Sequence, residues 1–186
     1  MSKKSKDFIV KSLLQLLQTN KFEVITISEI CDNTQIVRKT FYNNFTSKED
    51  VIAYYSKNLI DEYYDRVKNK NSGNTQDAAR FFFDFGIEYK PELKLFIDNR
   101  LYHLFGKEFK KILPEVNKLF PGNKFEHTAP EDAKYVFSFM AAGVLQILED
   151  WIISDENKTS EDLTNLYLCI VTNIPRSYHT DQYECE

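Results

Sequence analysis

The chain is poor in the residues that interrupt regular structure, with five glycines and five prolines in 186 positions. A β-rich fold needs many turns, so this scarcity, with few alternating apolar stretches, argues against sheets and favours long helices. Cysteine is scarce too: Cys31, Cys169 and Cys185 are odd in number, widely spaced and unlike any metal-ligand pattern. A reducing cytoplasm is the compartment that fits them. No uninterrupted apolar run approaches the roughly 18–20 residues that cross a bilayer. The basic opening, Lys3-Lys4-Ser5-Lys6, leads into no secretory apolar segment, so no membrane partner is expected. His103, His127 and His179 lack metal spacing, and no nucleophile elbow, phosphate loop, dinucleotide fingerprint or zinc motif occurs. Neither an enzyme nor a bound cofactor or metal is expected.

What the chain does have is apolar mass. Apolar residues make up 42% and aromatics 15%, including 15 Phe and 11 Tyr, which suffices for a packed core. The net charge of −4 conceals a division. Residues 1–58 hold nine Lys/Arg and six Asp/Glu, whereas the remainder holds fifteen and twenty-two. The pattern is a modestly basic head on an acidic body, and clustered charge, not the total, sets attraction to phosphates.

Phe8, Ile9, Leu13, Leu16 and Leu17 recur at helical spacing and predict a first helix over about Lys6–Thr19. Thr26-Ile27-Ser28-Glu29 is a capping box that opens a short helix to about Asn33. After a break at Thr34-Gln35-Ile36, a second short helix is expected over Val37–Asn44. Ser47 with Asp50 caps a long helix to about Lys70, closed by Asn71-Ser72-Gly73-Asn74. Helices are expected near Thr75–Tyr89, Pro91–Leu101 and Tyr102–Phe120, followed by a Pro121-Gly122-Asn123 loop. Thr128-Ala129-Pro130-Glu131 opens a helix to about Ser154, and Thr159 with Asp162 caps a last one to about Ile174.

Two short helices around a tight break describe a helix-turn-helix, the second of them sized for a major groove. Phe41 and Phe45, four apart, mark its core face; Lys39, Thr40 and Asn43 lie on other faces, where they can meet bases or phosphates.

Thr26-Ile27-Ser28-Glu29-Ile30-Cys31, followed by Arg38-Lys39-Thr40-Phe41-Tyr42-Asn43-Asn44-Phe45-Thr46-Ser47-Lys48-Glu49-Asp50-Val51, closely resembles the N-terminal domain of TetR/AcrR regulators. The similar region runs from about Phe8 to Leu59. The resemblance implies an all-α chain, with a three-helix helix-turn-helix domain at 1–50 and a helical dimerisation and effector domain at 51–186. It further implies phosphate contacts by Thr26, Tyr42 and Lys48, and a groove-facing set of Arg38, Lys39, Thr40, Asn43 and Asn44, with Phe41 and Phe45 structural. Two positions depart from the family pattern. Gln35 stands where the turn usually has Gly, which costs roughly 1 kcal/mol if φ is positive. Val37 stands where Ser or Thr usually caps, a loss of about 0.5–2 kcal/mol; any readout by Val37 would be apolar, as to a thymine methyl.

Farther on, Phe139-Met140-Ala141-Ala142-Gly143-Val144-Leu145 through Trp151-Ile152, and then Ser160-Glu161-Asp162-Leu163, resemble the C-terminal region of TetR-type regulators of dihydroxyacetone kinase operons. Two readings of the aromatic runs stand: Phe82, Phe85, Tyr89, Tyr102, His103, Phe137 and Trp151 line an effector pocket, or they are plain core. The stripes Met140, Val144 and Leu148, and Leu163, Leu166, Tyr167, Ile170 and Ile174, are either buried within one chain or, as the family architecture implies, form a four-helix dimer interface. The resulting expectation is a homodimeric repressor on a pseudo-palindromic double-stranded DNA operator, released by a small-molecule effector. The alternative is a TetR-like regulator controlled by a partner protein. A closed apolar cavity favours the first; a solid core with an exposed patch favours the second.

Overall fold

The computed structural model describes residues 3–70, 75–120, 129–154 and 156–172. Among these residues the chain is all-α, with nine helices and no strand. In order they are α1 (Lys3–Leu17), α2 (Ile27–Thr34), α3 (Arg38–Tyr42), α4 (Lys48–Asn69), α5 (Thr75–Glu88), α6 (Lys90–Asp98), α7 (Tyr102–Lys118), α8 (Pro130–Ser154) and α9 (Ser160–Thr172). The expected breaks at Asn71–Asn74 and Pro121–Asn123, the Thr128 cap and the chain after Thr172 lie outside the described residues.

The first three helices wrap a small apolar centre. Ile9 and Leu13 of α1, Ile30 of α2, Phe41 of α3 and Val51 of α4 are fully buried there. The helix α3 is shorter than its sequence pattern suggests. Val37 is extended (φ −81, ψ 150), and at the other end the Asn44 N–H returns to Phe41 O at 2.8 Å, tightening the last turn. The long helix α4 starts from Ser47, whose side chain accepts from the Asp50 N–H, and runs 22 residues from head into body without interruption. Its body half packs chiefly on α7, while α5 packs on α9 and α7 on α8.

Aromatic rings fill the centre of the body. Phe82 and Phe109 lie 4.4 Å apart, and Tyr63 packs against both and against Phe85. Gly86 on α5 permits a close approach: a Cβ there would lie 2.6 Å from Cδ1 of the fully buried Leu148 on α8.

One expectation needs correction. By length and composition α8 is a helix long and apolar enough to cross a membrane. An uninterrupted-run criterion misses it because its apolar residues are spread round the helix and separated by Ser138, Gln146, Glu149 and Asp150. Its inward face, with Met140, Ala141, Val144, Leu148, Trp151 and Ile152 buried, packs on α6, α7 and α9, as the core helix of a globular body does.

Head and body also meet beside α4. The turn between α1 and α2 lies against the corner between α6 and α7, where the Phe22 N–H donates to Asn99 Oδ1 at 2.8 Å. Nearby, Lys21 Nζ donates to Asp98 O at 3.2 Å.

Candidate nucleic-acid interface

The interface begins with the cap on α2. Thr26 is extended (φ −98, ψ 155); its hydroxyl oxygen accepts from the Glu29 N–H at 3.2 Å, and Glu29 accepts from the Thr26 N–H at 2.7 Å. The bond from the Thr26 N–H and, after it, one from the Thr26 hydroxyl hold the Glu29 carboxyl below its ordinary value. The Thr26 hydroxyl also donates to Glu29, so both side chains serve the cap.

Gln35 ends α2 in the left-handed region at φ 56. Its N–H returns to Asp32 O, and the next N–H, on Ile36, returns to Cys31 O at 3.1 Å. That pair of bonds is the Schellman arrangement usually built on glycine. The chain keeps the geometry of the turn and accepts the strain of a side chain in it. Arg38 then braces the two helices by donating to Ser28 Oγ.

The helix α3 sorts its side chains sharply. Phe41 is fully buried, while Val37 and Tyr42 are 68% and 57% exposed. Arg38, Lys39 and Asn43 are exposed with them. Thr40 and Asn44 are half-buried and tied together, Asn44 Nδ2 donating to Thr40 O at 2.7 Å. The Asn44 Oδ1 is buried without a partner.

Lys48, at the start of α4, has a role that its sequence position does not disclose. Its ammonium donates to the carbonyls of Phe22, Glu23 and Ile25 and sits 4.4 Å from the centre of the Phe22 ring. It therefore pins the α1–α2 turn. Sequence reasoning also missed Ser28 as the partner of Arg38, and Asn99 as the body residue that touches the head. The first is seven residues ahead of the break at Gln35; the second is 77 residues from Phe22, a separation that no local pattern spans.

The remaining candidates divide by position. Phe82, Phe85, Tyr102 and Trp151 are buried, Tyr89 and Phe137 half-buried, and His103 is exposed with its Nδ1 3.0 Å from Arg100 O. None of the three described grooves holds more than one of the seven. Tyr89 borders a surface groove of about 550 Å³ between α1 and α4, and Phe85 one of about 390 Å³ between α4 and α5. Met140, Val144, Leu148, Leu163 and Tyr167 turn into the body of their own chain, because α5 and α7 pack on that side. Leu166 and Ile170 face outward at 45% and 49% exposure, and Ile174 lies outside the described residues. Tyr135, Phe139 and Ile153 of α8 are outward too. Their spacing was present in the sequence but was outweighed by the heavier inward stripe. Among the described residues no cluster of His, Cys, Asp or Glu comes together that would hold a metal ion.

No protein-family model matches the chain. A relative described as the HTH-type dhaKLM operon transcriptional activator DhaS, from Lactococcus lactis subsp. lactis, is 26% identical over 169 residues, covering 86% of this chain and 87% of its own. Among solved structures, the dihydroxyacetone kinase operon activator DhaS superposes with a TM-score of 0.57 at 23% identity, covering 92% of this chain and 94% of that one. The fatty acid degradation regulator FadR from Bacillus halodurans gives 0.62 at 14% identity, covering 92% and 95%. The TetR family repressor AlkX from Dietzia sp. gives 0.54 at 13%, covering 90% and 93%. The chain is TetR-like in fold. Its sequence likeness to a dihydroxyacetone kinase operon activator runs along most of its length.

Proposed function

We propose that this chain is a TetR-type DNA-binding transcriptional regulator that acts as a homodimer in a bacterial cytoplasm, on a pseudo-palindromic operator. The observation that carries the reading is the sorting on α3, with Phe41 fully buried beneath a surface formed by exposed Val37, Arg38, Lys39, Tyr42 and Asn43. A helix so anchored presents cationic and amide groups to base edges and a phenol to a phosphate. Its relatives by sequence and fold are transcriptional regulators, which supports the same assignment. Thr26, Tyr42 and Lys48 are assigned to phosphates; Val37, Arg38, Lys39, Thr40, Asn43 and Asn44 to the groove. For Lys48 the assignment means sharing its ammonium with the carbonyls it holds, or leaving them.

The mode of action is repression relieved by a small-molecule effector in the body, or control by a partner protein. The close packing of Phe82, Phe109 and Tyr63 supports the second, and the groove between α4 and α5 that Tyr63 and Phe85 line is the place for an effector under the first. The outward apolar residues Tyr135, Phe139, Ile153, Leu166 and Ile170 supply the face for a second copy.

The test is operator selection from random duplex DNA, followed by titration at several salt concentrations. Tyr42→Phe is expected to weaken binding to all sequences and to lower the salt slope, whereas Lys39→Ala and Asn43→Ala change sequence preference. If none of the three changes the titration, the assignment of α3 fails.

A further inference from the structure

We infer that Asn99 is a positioning residue that sets the orientation of the reading head on the body; the inference rests on the proposed DNA-binding function. Asn99 is 6% exposed, one of four polar residues buried in the described core. Its two polar atoms serve different ends. Nδ2 donates to Leu95 O at 2.9 Å, closing the end of its own helix α6. Oδ1 accepts the Phe22 N–H at 2.8 Å, and so reaches the head.

The backbone around Asn99 is held in a special form. Arg100 takes φ 59, its N–H returning to Ile97 O and the Leu101 N–H to Phe96 O at 2.7 Å. This Schellman end of α6 turns the chain sharply into α7 and fixes where Asn99 stands. A non-glycine residue in that conformation stores strain, and the corner retains it.

On the head side, the accepted N–H belongs to the turn that Lys48 clamps through three carbonyls. The α1–α2 turn is thus held from two sides: Lys48 binds its carbonyls, Asn99 binds an N–H. Lys48 leads α4 and is itself assigned to DNA. Any displacement of α6 is conveyed through Asn99 to the turn, and from the turn to the residue that begins the long helix. The seam is polar and incompletely filled. A cleft of about 250 Å³ lined by Leu17, Gln18, Lys21, Leu95, Asp98 and Asn99 runs beside the bond. The outer contact is a single hydrogen bond from Lys21 to Asp98 O. A joint built on directed bonds has discrete engaged and released states.

Full-length protein decides the matter. Asn99→Ala removes both bonds, Asn99→Asp keeps the acceptor for Phe22 but not the donor to Leu95, and Lys21→Met tests the outer contact at an exposed site. Each is titrated against a two-half-site operator recovered by selection with the wild-type protein, and against a duplex holding one half-site. Amide exchange at Phe22 is followed in the same proteins without DNA. Asn99→Ala is expected to accelerate Phe22 exchange and to change affinity for the two-half-site operator by about ten-fold, within the usual range of coupling between sites. Affinity for one half-site should change less than about two-fold, because one head alone needs no set orientation. Asn99→Asp should restore slow Phe22 exchange. Equal losses on both duplexes would make Asn99 a plain stabiliser of the head and overturn the inference. So would unchanged Phe22 exchange in Asn99→Ala. Should Asn99→Ala fail to fold, Lys21→Met is expected to show the same preference for the two-half-site loss, and a wild-type profile there overturns the seam. A wild-type protein that selects no DNA defeats the proposed function, and the exchange data still judge the contact.

Discussion

Gln35 holds a φ of 56, where an L side chain costs roughly 1 kcal/mol, and two residues later Val37 opens α3 without any side-chain cap. Both are positions where a different residue would strengthen the head. Gln35→Gly is expected to raise stability by up to about 1 kcal/mol, since relief of strain is partly offset by the greater freedom of glycine in the unfolded chain. Val37→Ser should add about 1 kcal/mol by accepting a first-turn N–H. Urea unfolding followed by circular dichroism measures each; a loss of stability in both would contradict the geometry given for the turn. The capping boxes at Thr26 and Thr159 and the cap at Ser47 were legible in the sequence because a cap is a local event, decided within four residues; at Ser47 the return bond falls one residue earlier, Asp50 accepting from the Thr46 N–H. The multiple bonds of Lys48 and the buried Oδ1 of Asn44 were not, since each depends on chain brought in from elsewhere.

Individual helices respond to pH and to volume in ways that separate them. Glu29 titrates below its ordinary value because the folded α2 start donates hydrogen bonds to its charged form. A depressed carboxylate contributes stability above its unfolded value, about 4.3, and loses that contribution as pH falls through the folded value. The cap on α2 is therefore expected to weaken in acid below about pH 4, and Glu29→Gln to flatten this dependence. An amide chemical-shift titration of Thr26 reads it directly; identical acid profiles in the two proteins would count against the cap. The α5–α8 contact is sensitive to size. Gly86→Ala gains about 1 kcal/mol of helix propensity but forces the buried Leu148 to move, an overpacking cost of roughly 1–3 kcal/mol. The expected net effect is a modest loss, measurable as a lower melting temperature. Helix existence was evident from apolar spacing throughout, but α3 proved shorter than that spacing implied. Helical periodicity continues through Asn43 and Asn44 even though the hydrogen bonds there have already tightened.

The whole molecule puts an acidic body behind a more basic head, and its outward apolar residues on α8 and α9 form the face proposed for a second copy. Phe139→Glu with Leu166→Glu is expected to convert the proposed dimer to monomer and to abolish operator binding, with the helical content unchanged. Sedimentation velocity gives the first result and a DNA titration the second; a dimer that persists would move the interface elsewhere. That α8 and α9 carry more apolar surface than one face can bury was legible in the sequence. Which residues face out was not, because the stripes run round most of α8 and only the packing of α5 and α7 selects a side. The unbroken course of α4 has a mechanical consequence. At about 1.5 Å per residue, its 22 residues form a rod of about 33 Å. Pivoting such a rod by about 6° at its body end swings the other tip by about 3.4 Å, the rise of one base pair along the duplex. Under the proposed function, a signal arriving at the body needs only that small angle to put α3 out of register with the bases it is proposed to read.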